Sequence, residues 1–379
     1  MFKFIHTADW QIGAPFGSFE PDLSARLRAA RIAMIDRVAA LAISQSVRHV
    51  VVAGDVWDSE QPSDAMIRQP LDMMSGQSEI TWWLMPGNHD PFRKNLLWSR
   101  IQERAPNNVR LLLEPEPVEA EPGVWFLPAP WASKFPGRDL TEWMVDADIA
   151  GDAIKIGIGH GSITDFASKY DGTSDAASKS VIPPDRADTA RLDYLALGDW
   201  HGVLEIGKRV WYSGTPEPDR FRRNSPGHAL IVSVAKGEAP KVTIEKTAEF
   251  DWQVLDLVCL AGSDAFPELQ ALEARASLRN TLMQIHLSGE LTQARWSELE
   301  RRLRALAERA AFLDIRDSAL TRLVTDEDLD ALDKGGSVRM AADRLMAMKT
   351  GDTHSASEKS TASDALSYLL SFAQEEVIQ

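Results

Sequence analysis

Cysteine is almost missing from this chain. Cys259 stands alone in 379 residues, so no internal disulfide can form, which fits a reducing compartment. Its setting, Leu255-Asp256-Leu257-Val258-Cys259-Leu260, marks it as a core residue rather than a reactive one. Long apolar runs are missing too. None approaches the roughly 20 residues that a helix needs to cross a bilayer, which excludes a helical membrane protein. The first residues read as a strand, with no basic region followed by an apolar stretch and a small-residue cleavage site, so a cytoplasmic protein is expected. Positive charge is in deficit: 41 Lys and Arg stand against 56 Asp and Glu, a formal net charge of -15. Such a chain is repelled by nucleic acid at long range, and contact with DNA would demand a local basic face or a basic partner. Arg26, Arg28, Arg31 and Arg37 offer one such face, and Arg220, Arg222 and Arg223 another. There are no internal repeats.

What is present is a set of short apolar runs, each stopping at a side chain that can bind metal. Phe2-Lys3-Phe4-Ile5-His6-Thr7-Ala8 stops at Asp9-Trp10-Gln11, and Val50-Val51-Val52-Ala53 at Gly54-Asp55. Trp82-Trp83-Leu84-Met85 stops at Pro86-Gly87-Asn88-His89-Asp90. The run from Ile154 to Ile158 stops at Gly159-His160-Gly161, and Tyr194-Leu195-Ala196-Leu197 at Gly198-Asp199-Trp200-His201. Short Val, Ile, Leu and Trp runs bounded by Gly or Pro read as buried strands. In open α/β sheets, sites form beyond the carboxyl ends of the strands. Five strands delivering Asp, Asn and His to one edge therefore predict a metal centre.

The helical pattern from Leu23 to Ser46 lies between the first two of these strands, which is the order of a layered α/β domain. Its surplus of apolar positions makes a homodimer an expectation. The stretch from Phe166 to Asp188, rich in Ser, Asp, Ala and Gly, reads as a long surface excursion. Composition shifts near Ala235 to Pro240. Beyond it, strands, two helices and further strands alternate as a small α+β unit. Three regions are expected: a catalytic domain over 1–235, the α+β unit over 236–320 and a C-terminal helical region over 321–379, with a flexible linker near 350–363.

A dinuclear site needs one carboxylate able to bridge two cations and several terminal ligands. Asp55 suits the bridge, Asp9 a terminal position, Asn88 a neutral oxygen, and His160 and His201 imidazole nitrogens. The set Asp9-x-Gln11, Gly54-Asp55, Gly87-Asn88-His89-Asp90, Gly159-His160-Gly161 and Gly198-x-x-His201 resembles the calcineurin-like metallophosphoesterase superfamily. Within it, His6-Thr7-Ala8-Asp9-Trp10, Gly54-Asp55-Val56-Trp57-Asp58 with Pro62-Ser63, and Tyr212-Ser213-Gly214-Thr215-Pro216 are similar to the SbcD branch of DNA-repair exonucleases. That resemblance implies a two-sheet layered α/β core flanked by helices, with a small α+β capping domain and a helical C-terminal tail. It implies one metal on Asp9, Gln11, Asp55 and His201, and a second on Asp55, Asn88, His160 and Asp199. Two positions depart from the pattern, because Gln11 and Asp199 stand where imidazoles are usual. Oxygen donors favour hard cations. Mn²⁺ is therefore the expected metal, with Mg²⁺ next and Zn²⁺ or Fe less suited.

A pair of cations about 4 Å apart can clamp a phosphoryl group for in-line displacement. His89, beside a ligand but not needed as one, is the natural proton donor to the leaving oxygen. Asp90 is expected to fix that imidazole or its loop, and Asp58 to support the site from behind. Trp10, Trp57, Trp131 and Trp200 read as a roof that excludes water rather than as stacking platforms. The resemblance further implies DNA as substrate and a large coiled-coil ATPase as partner, bound through the C-terminal helices, in a nucleoid-associated setting. Two rival readings are a small-molecule metallophosphatase or cyclic phosphodiesterase, and a structural subunit whose metal site has decayed.

Overall fold

The computed structural model describes residues 1–133, 136–164, 181–260, 266–323 and 336–351, with 353–355, 357–359, 361–362, 365–366 and 368–369. The chain divides into two compact units, Met1–Trp252 and Gln253–Gln379.

In the first unit the chain runs β1 (Phe2–Thr7), α1 (Pro21–Ser44), β2 (His49–Val52), α2 (Asp64–Ser75), β3 (Thr81–Leu84) and α3 (Leu97–Gln102). There follow β4 (Val109–Leu111), β5 (Val118–Glu121), β6 (Val124–Pro128), β7 (Ile154–His160), β8 (Ser162–Ile163) and β9 (Val181–Ile182). The unit is completed by α4 (Arg186–Thr189), β10 (Tyr194–Gly198), β11 (Leu204–Gly207), β12 (Val210–Tyr212), β13 (His228–Val234) and β14 (Lys241–Lys246). One six-stranded sheet has the order β14-β13-β1-β2-β3-β4, and the other β11-β12-β10-β7-β6-β5. Within them β1 to β4 are parallel neighbours, as are β6, β7, β10 and β12.

Period-2 alternation explains why both faces of each sheet are apolar. Phe4, Val51 and Trp83 point between the sheets, where they meet Phe126, Ile156, Ile158, Tyr194 and Ala196. Their strand neighbours Ile5, Val50, Val52, Trp82 and Leu84 face the other way, onto Met34, Ile35 and Val38 of α1 and Ile67 and Leu71 of α2. The outer face of the second sheet packs Leu195 and Leu197 against Met144, Ala187 and Leu192. The result is the four-layer helix–sheet–sheet–helix core expected for this fold class.

One reading is corrected here and one is narrowed. Of the apolar positions of α1, Leu27, Ala30, Met34, Ile35 and Val38 are buried in its own core, while Ile43 is exposed. The strand Lys241–Lys246, placed beyond the first boundary, pairs antiparallel with β13 from His228↔Lys246 to Ser233↔Lys241. The polar stretch read as a boundary is the turn of a hairpin, and the units divide after Trp252 instead.

The second unit takes up β15 (Asp251–Cys259), then α5 (Pro267–Glu273), β16 (Leu278–Thr292), α6 (Gln293–Arg309), β17 (Ala310–Leu323) and α7 (Ser337–Thr350). Its three-stranded sheet, β15-β16-β17, buries Leu257, Met283, Ile285 and Leu287 against Leu269, Leu272, Leu299 and Leu303 of the two helices. The linker reading near 350–363 also needs correcting. Residues 357–359 and 361–362 are helical, and Ala362 and Leu366 are buried together with Ala342. Ser355 and Glu358 start that helix as a reciprocal cap: Ser355 N–H donates to Glu358 Oε2 (2.8 Å) and Glu358 N–H to Ser355 Oγ (3.3 Å). Most of the surface excursion, 165–180, and the end of the expected partner-binding tail, 370–379, lie outside the described residues. No helix among the described residues is long and apolar enough to cross a membrane.

Candidate metal centre

Every expected ligand lies at or just past the carboxyl end of a parallel strand. Asp9 follows β1, Asp55 follows β2 and Asn88 follows β3, all in the first sheet; His160 ends β7, and Asp199 and His201 follow β10 in the second. The register Thr7↔Val52↔Leu84 brings the first three ends level, and Gly198↔His160 does so for the other two. Main-chain bonds then zip the loops: Asp9 N–H donates to Gly54 O (3.1 Å), Gln11 N–H to Asp55 O (2.9 Å) and Asp58 N–H to Ile12 O (3.0 Å).

The local backbone is strained where the ligands sit. Nine non-glycine residues among those described have positive φ, and four of them are Asp9 (52°), Gln11 (43°), Asp55 (53°) and Asp199 (97°). Side chains rarely adopt this region, and it persists where the surroundings over-determine it, typically at functional sites. Glycines let the loops close. A Cβ on Gly87 would stand 2.2 Å from Asp55 Oδ1, and one on Gly198 would stand 2.1 Å from Ala53 O and 2.7 Å from His160 Nδ1.

Ligand atoms of Asp9, Asp55 and His160 lie within 4.8 Å of one another, and all three residues are buried. His160 Nδ1–H donates to Ala53 O (2.8 Å), which turns Nε2 toward Asn88 Oδ1 (2.9 Å) and Asp55 Oδ2 (3.4 Å). Fixing one ring nitrogen by a carbonyl to aim the other is how ligating histidines are held. His201 is set the same way, with Nδ1 3.1 Å from Asp219 Oδ1 and Nε2 4.0 Å from Asp9 Oδ1. Gln11 Nε2 lies 3.3 Å from His201 Nε2. The carboxylate of Asp199 accepts from Ser162 Oγ (3.0 Å), while its backbone N–H caps both oxygens of Asp9 (3.2 and 3.1 Å). Asp199 thus braces Asp9 through its main chain, and its carboxylate is outside the Asp9–Asp55–His160 group.

The electrostatics ask for a cation. Burial opposes charge on His160, yet the Asp55 carboxylate beside it pushes its pKa up to about 10. Asp55 is itself buried, yet His160 and the His89 N–H hold it at about 2. Burial pushes Asp9 up to about 6, against the pull of His201 and His160. Burial likewise opposes charge on His201, and Asp219 and Asp9 outweigh it. Asp219, although buried, is held far below the carboxylate range by His201 and Arg31. Carboxylates, an amide oxygen and two aimed imidazoles form a donor set that fits hard or borderline divalent ions.

His89 N–H donates to Asp55 Oδ1 (2.8 Å), and its ring, 39% exposed, reaches Asp58: Nδ1 lies 3.2 Å from Asp58 O and 3.6 Å from Asp58 Oδ1. Of the two expectations for Asp90, the ring and its loop, the contacts are with the loop, while Asp58 lies against the imidazole. Asp58 orients the imidazole. Asp90, wholly buried, accepts from Gly87 N–H (2.7 Å) and Trp57 N–H (3.0 Å), and its own carbonyl accepts from Trp98 Nε1. Burial, with Asp55 nearby, pushes its pKa well up. Asp90 ties loops together and does not hold the ring, because the turn after Asn88 points successive side chains apart.

Trp10, Trp57 and Trp131 are fully buried, so none can stack on a base. Trp131 Nε1 donates to His160 O (2.7 Å) and its ring stands edge-on to that imidazole at 6.1 Å. The arginines of α1 have partners of their own, and Arg28 stays exposed. Arg31 is buried, donating to Trp10 O (2.6 Å) and Glu217 O (2.8 Å), Arg37 pairs with Glu217 (2.6 Å), Arg28 reaches Pro15 O (2.9 Å), and Arg26 lies over Phe250. His6, in the inter-sheet core, bonds Tyr194 OH (3.0 Å), and burial lowers its pKa to about 3, so it stays neutral. Sequence reasoning missed Asp219. Its only signal is an acidic residue opening the basic run Arg220-Phe221-Arg222-Arg223, shortly after Thr215-Pro216.

The profile of the calcineurin-like phosphoesterase family matches residues 2–233. Among curated proteins, none matches the chain. One solved structure, described as GAP50, the anchor in the inner membrane complex of Plasmodium, is similar at 11% identity over 65% of this chain and 84% of that one, with a TM-score of 0.37.

Proposed function

Since the chain belongs to the calcineurin-like phosphoesterase family, whose members hydrolyse phosphoesters with divalent cations, we propose that it is a phosphodiesterase acting on DNA. Mn²⁺ is the metal this oxygen-rich donor set suits best. Bound cations would polarise the phosphoryl oxygens and activate the attacking water. Asp9, Asp55, Asn88, His160 and His201 would hold them.

The observation that carries the hydrolytic reading is His89. Its backbone is tied to Asp55 and its Nδ1–H donates to Asp58 O, which leaves Nε2, 4.0 Å from Asp55 Oδ2, to hand a proton to the leaving oxygen. Asp90 and Gly87 fix the turn that presents it. The DNA reading draws support from the SbcD-like runs around Asp9, Asp55 and Thr215, and from the small α+β unit that follows them. A coiled-coil ATPase partner would supply basic surface, of which a chain with a formal net charge of -15 is short.

That same charge balance favours a second reading, a phosphodiesterase of small molecules. The two are separated by incubating purified protein and Mn²⁺ with labelled single- and double-stranded DNA and with a simple phosphodiester, beside His89→Ala. DNA cleavage that is lost in the variant supports the nuclease. Turnover of the simple ester with DNA untouched, in the presence of an ATPase partner as well, leaves the second reading.

A further inference from the structure

Glu217 is gripped at both ends by a single helix. From α1, Arg31 donates to the Glu217 carbonyl (2.8 Å) and Arg37 pairs with the Glu217 carboxylate (2.6 Å). That carboxylate also accepts from the N–H groups of Glu249 (2.8 Å) and Phe250 (3.0 Å). Arg37 donates as well to Thr247 O (2.6 Å), and the Thr247 hydroxyl donates to Pro216 O (2.7 Å), which secures the other flank. Glu217 stands between Pro216 and Pro218, and the next residue is Asp219, the partner of His201 Nδ1 at 3.1 Å. Proline fixes its own φ and disfavours helical backbone in the residue before it, so the arm from Glu217 to Asp219 has little torsional slack. Arg31 reaches the opposite loop too. Its other terminal nitrogen donates to Trp10 O (2.6 Å), between the candidate ligands Asp9 and Gln11. One guanidinium, 1% exposed, therefore spans the gap between the loop that carries Asp9 and the arm that carries Asp219.

Resting on the cation-site reading above, we propose that Arg31 and Arg37 are positioning residues for the metal centre, acting through the Glu217–Asp219 arm on His201. Neither touches a cation or a substrate. Arg31 sets the separation between the Asp9 loop and the arm, and Arg37 keeps the arm from swinging away from α1. Asp219 then holds His201 so that its Nε2 stands 4.0 Å from Asp9 Oδ1, the pair that a shared cation must satisfy together. The partner that orients a ligating histidine governs affinity although it is not itself a ligand. Here that partner is in turn placed by a helix on the far side of the sheet.

The test uses full-length protein stripped of metal and titrated with Mn²⁺ alone, with uptake followed by isothermal calorimetry and the melting temperature of the metal-free form by scanning calorimetry. Asp219→Asn is the benchmark, because loss of such an orienting partner costs about 10–100-fold in metal affinity. Arg31→Lys keeps the buried charge but cannot fork to two carbonyls. Arg37→Met removes the Glu217 pair from a side chain that is 27% exposed, where the fold tolerates change better. Both arginine variants should weaken the uptake that Asp219→Asn weakens, by roughly tenfold, the low end of that range. A merely structural role would lower their melting temperatures and leave Mn²⁺ uptake alone. An Arg37→Met protein that takes up Mn²⁺ as the wild type does overturns the proposal, whether or not Arg31→Lys folds. Asp219→Asn with wild-type uptake overturns it as well. A wild type that takes up no Mn²⁺ sinks the cation reading itself, and the positioning role with it.

Discussion

Replacing Gly87 by alanine probes how tightly the turn after β3 clamps Asp55. The new Cβ would stand 2.2 Å from Asp55 Oδ1 and 2.5 Å from Asp55 N, far inside contact distance, and neither atom is the free end of a flexible chain. Asp55 is 2% exposed, bonded to His89 N–H through the same oxygen, and fixed at φ 53°, so it cannot yield without losing that bond. Overpacking costs about 1–3 kcal/mol. The stranded N–H adds about 1–3 kcal/mol. For a unit of this size, a total of roughly 2–6 kcal/mol lowers the melting temperature by roughly 4–24 °C. Function should suffer more than stability, since a displacement of about 1 Å in a catalytic group can cost on the order of 10²-fold in rate. Gly151→Ala is the control, because nothing lies within 4 Å of its Cβ. Differential scanning calorimetry and Mn²⁺-dependent phosphodiester hydrolysis, run on both variants, read the two effects. A Gly87→Ala protein that melts and turns over like wild type would refute the clamp.

Two further outcomes follow from the same geometry. His89→Ala should slow hydrolysis of an unactivated phosphodiester by on the order of 10²–10⁴ while barely affecting a p-nitrophenyl ester, whose leaving group needs no proton; equal losses on both would remove His89 from the proton-transfer step. In metal-free protein, His160 has its pKa raised from 6.5 to about 10 by Asp55, so the stability it contributes is complete below pH 6.5 and is lost as pH climbs to about 10. The chelated wild type should therefore melt at falling temperatures across that window, and His160→Gln should not. A flat wild-type profile would show that His160 and Asp55 are not coupled.

Much of the centre was legible because strand ends are legible. Val50-Val51-Val52 and Tyr194-Leu195-Ala196-Leu197 can only be buried strands, and the residue that breaks each run must stand at the sheet's edge. What was not legible depends on torsion and on distance. Nothing in the letters Asp9, Gln11, Asp55 and Asp199 announces a left-handed backbone, which their neighbours impose. Asn88-His89-Asp90 names three polar side chains without saying where the turn aims them, so the letters left open whether Asp90 holds the ring or the loop. Asp219 meets His201 only because the chain returns after β12 to lie against the loop beyond β10. The β13–β14 hairpin was hidden by a polar turn that resembles a domain boundary, and the helix after Ser355 by a Ser/Thr/Ala composition that resembles a tether.

The ligands come from two separate sheets, so a cation held among them is a rivet through the seam. Phe4, Phe126, Trp83 and Tyr194 set the width of that seam by edge-on ring contacts of 5.0 to 6.3 Å, with no side chain of their own in the cleft. Shaving a ring in that layer should change the spacing between the Asp55 and His160 halves. Metal affinity would then be tunable from the hydrophobic interior, out of reach of solvent and substrate alike.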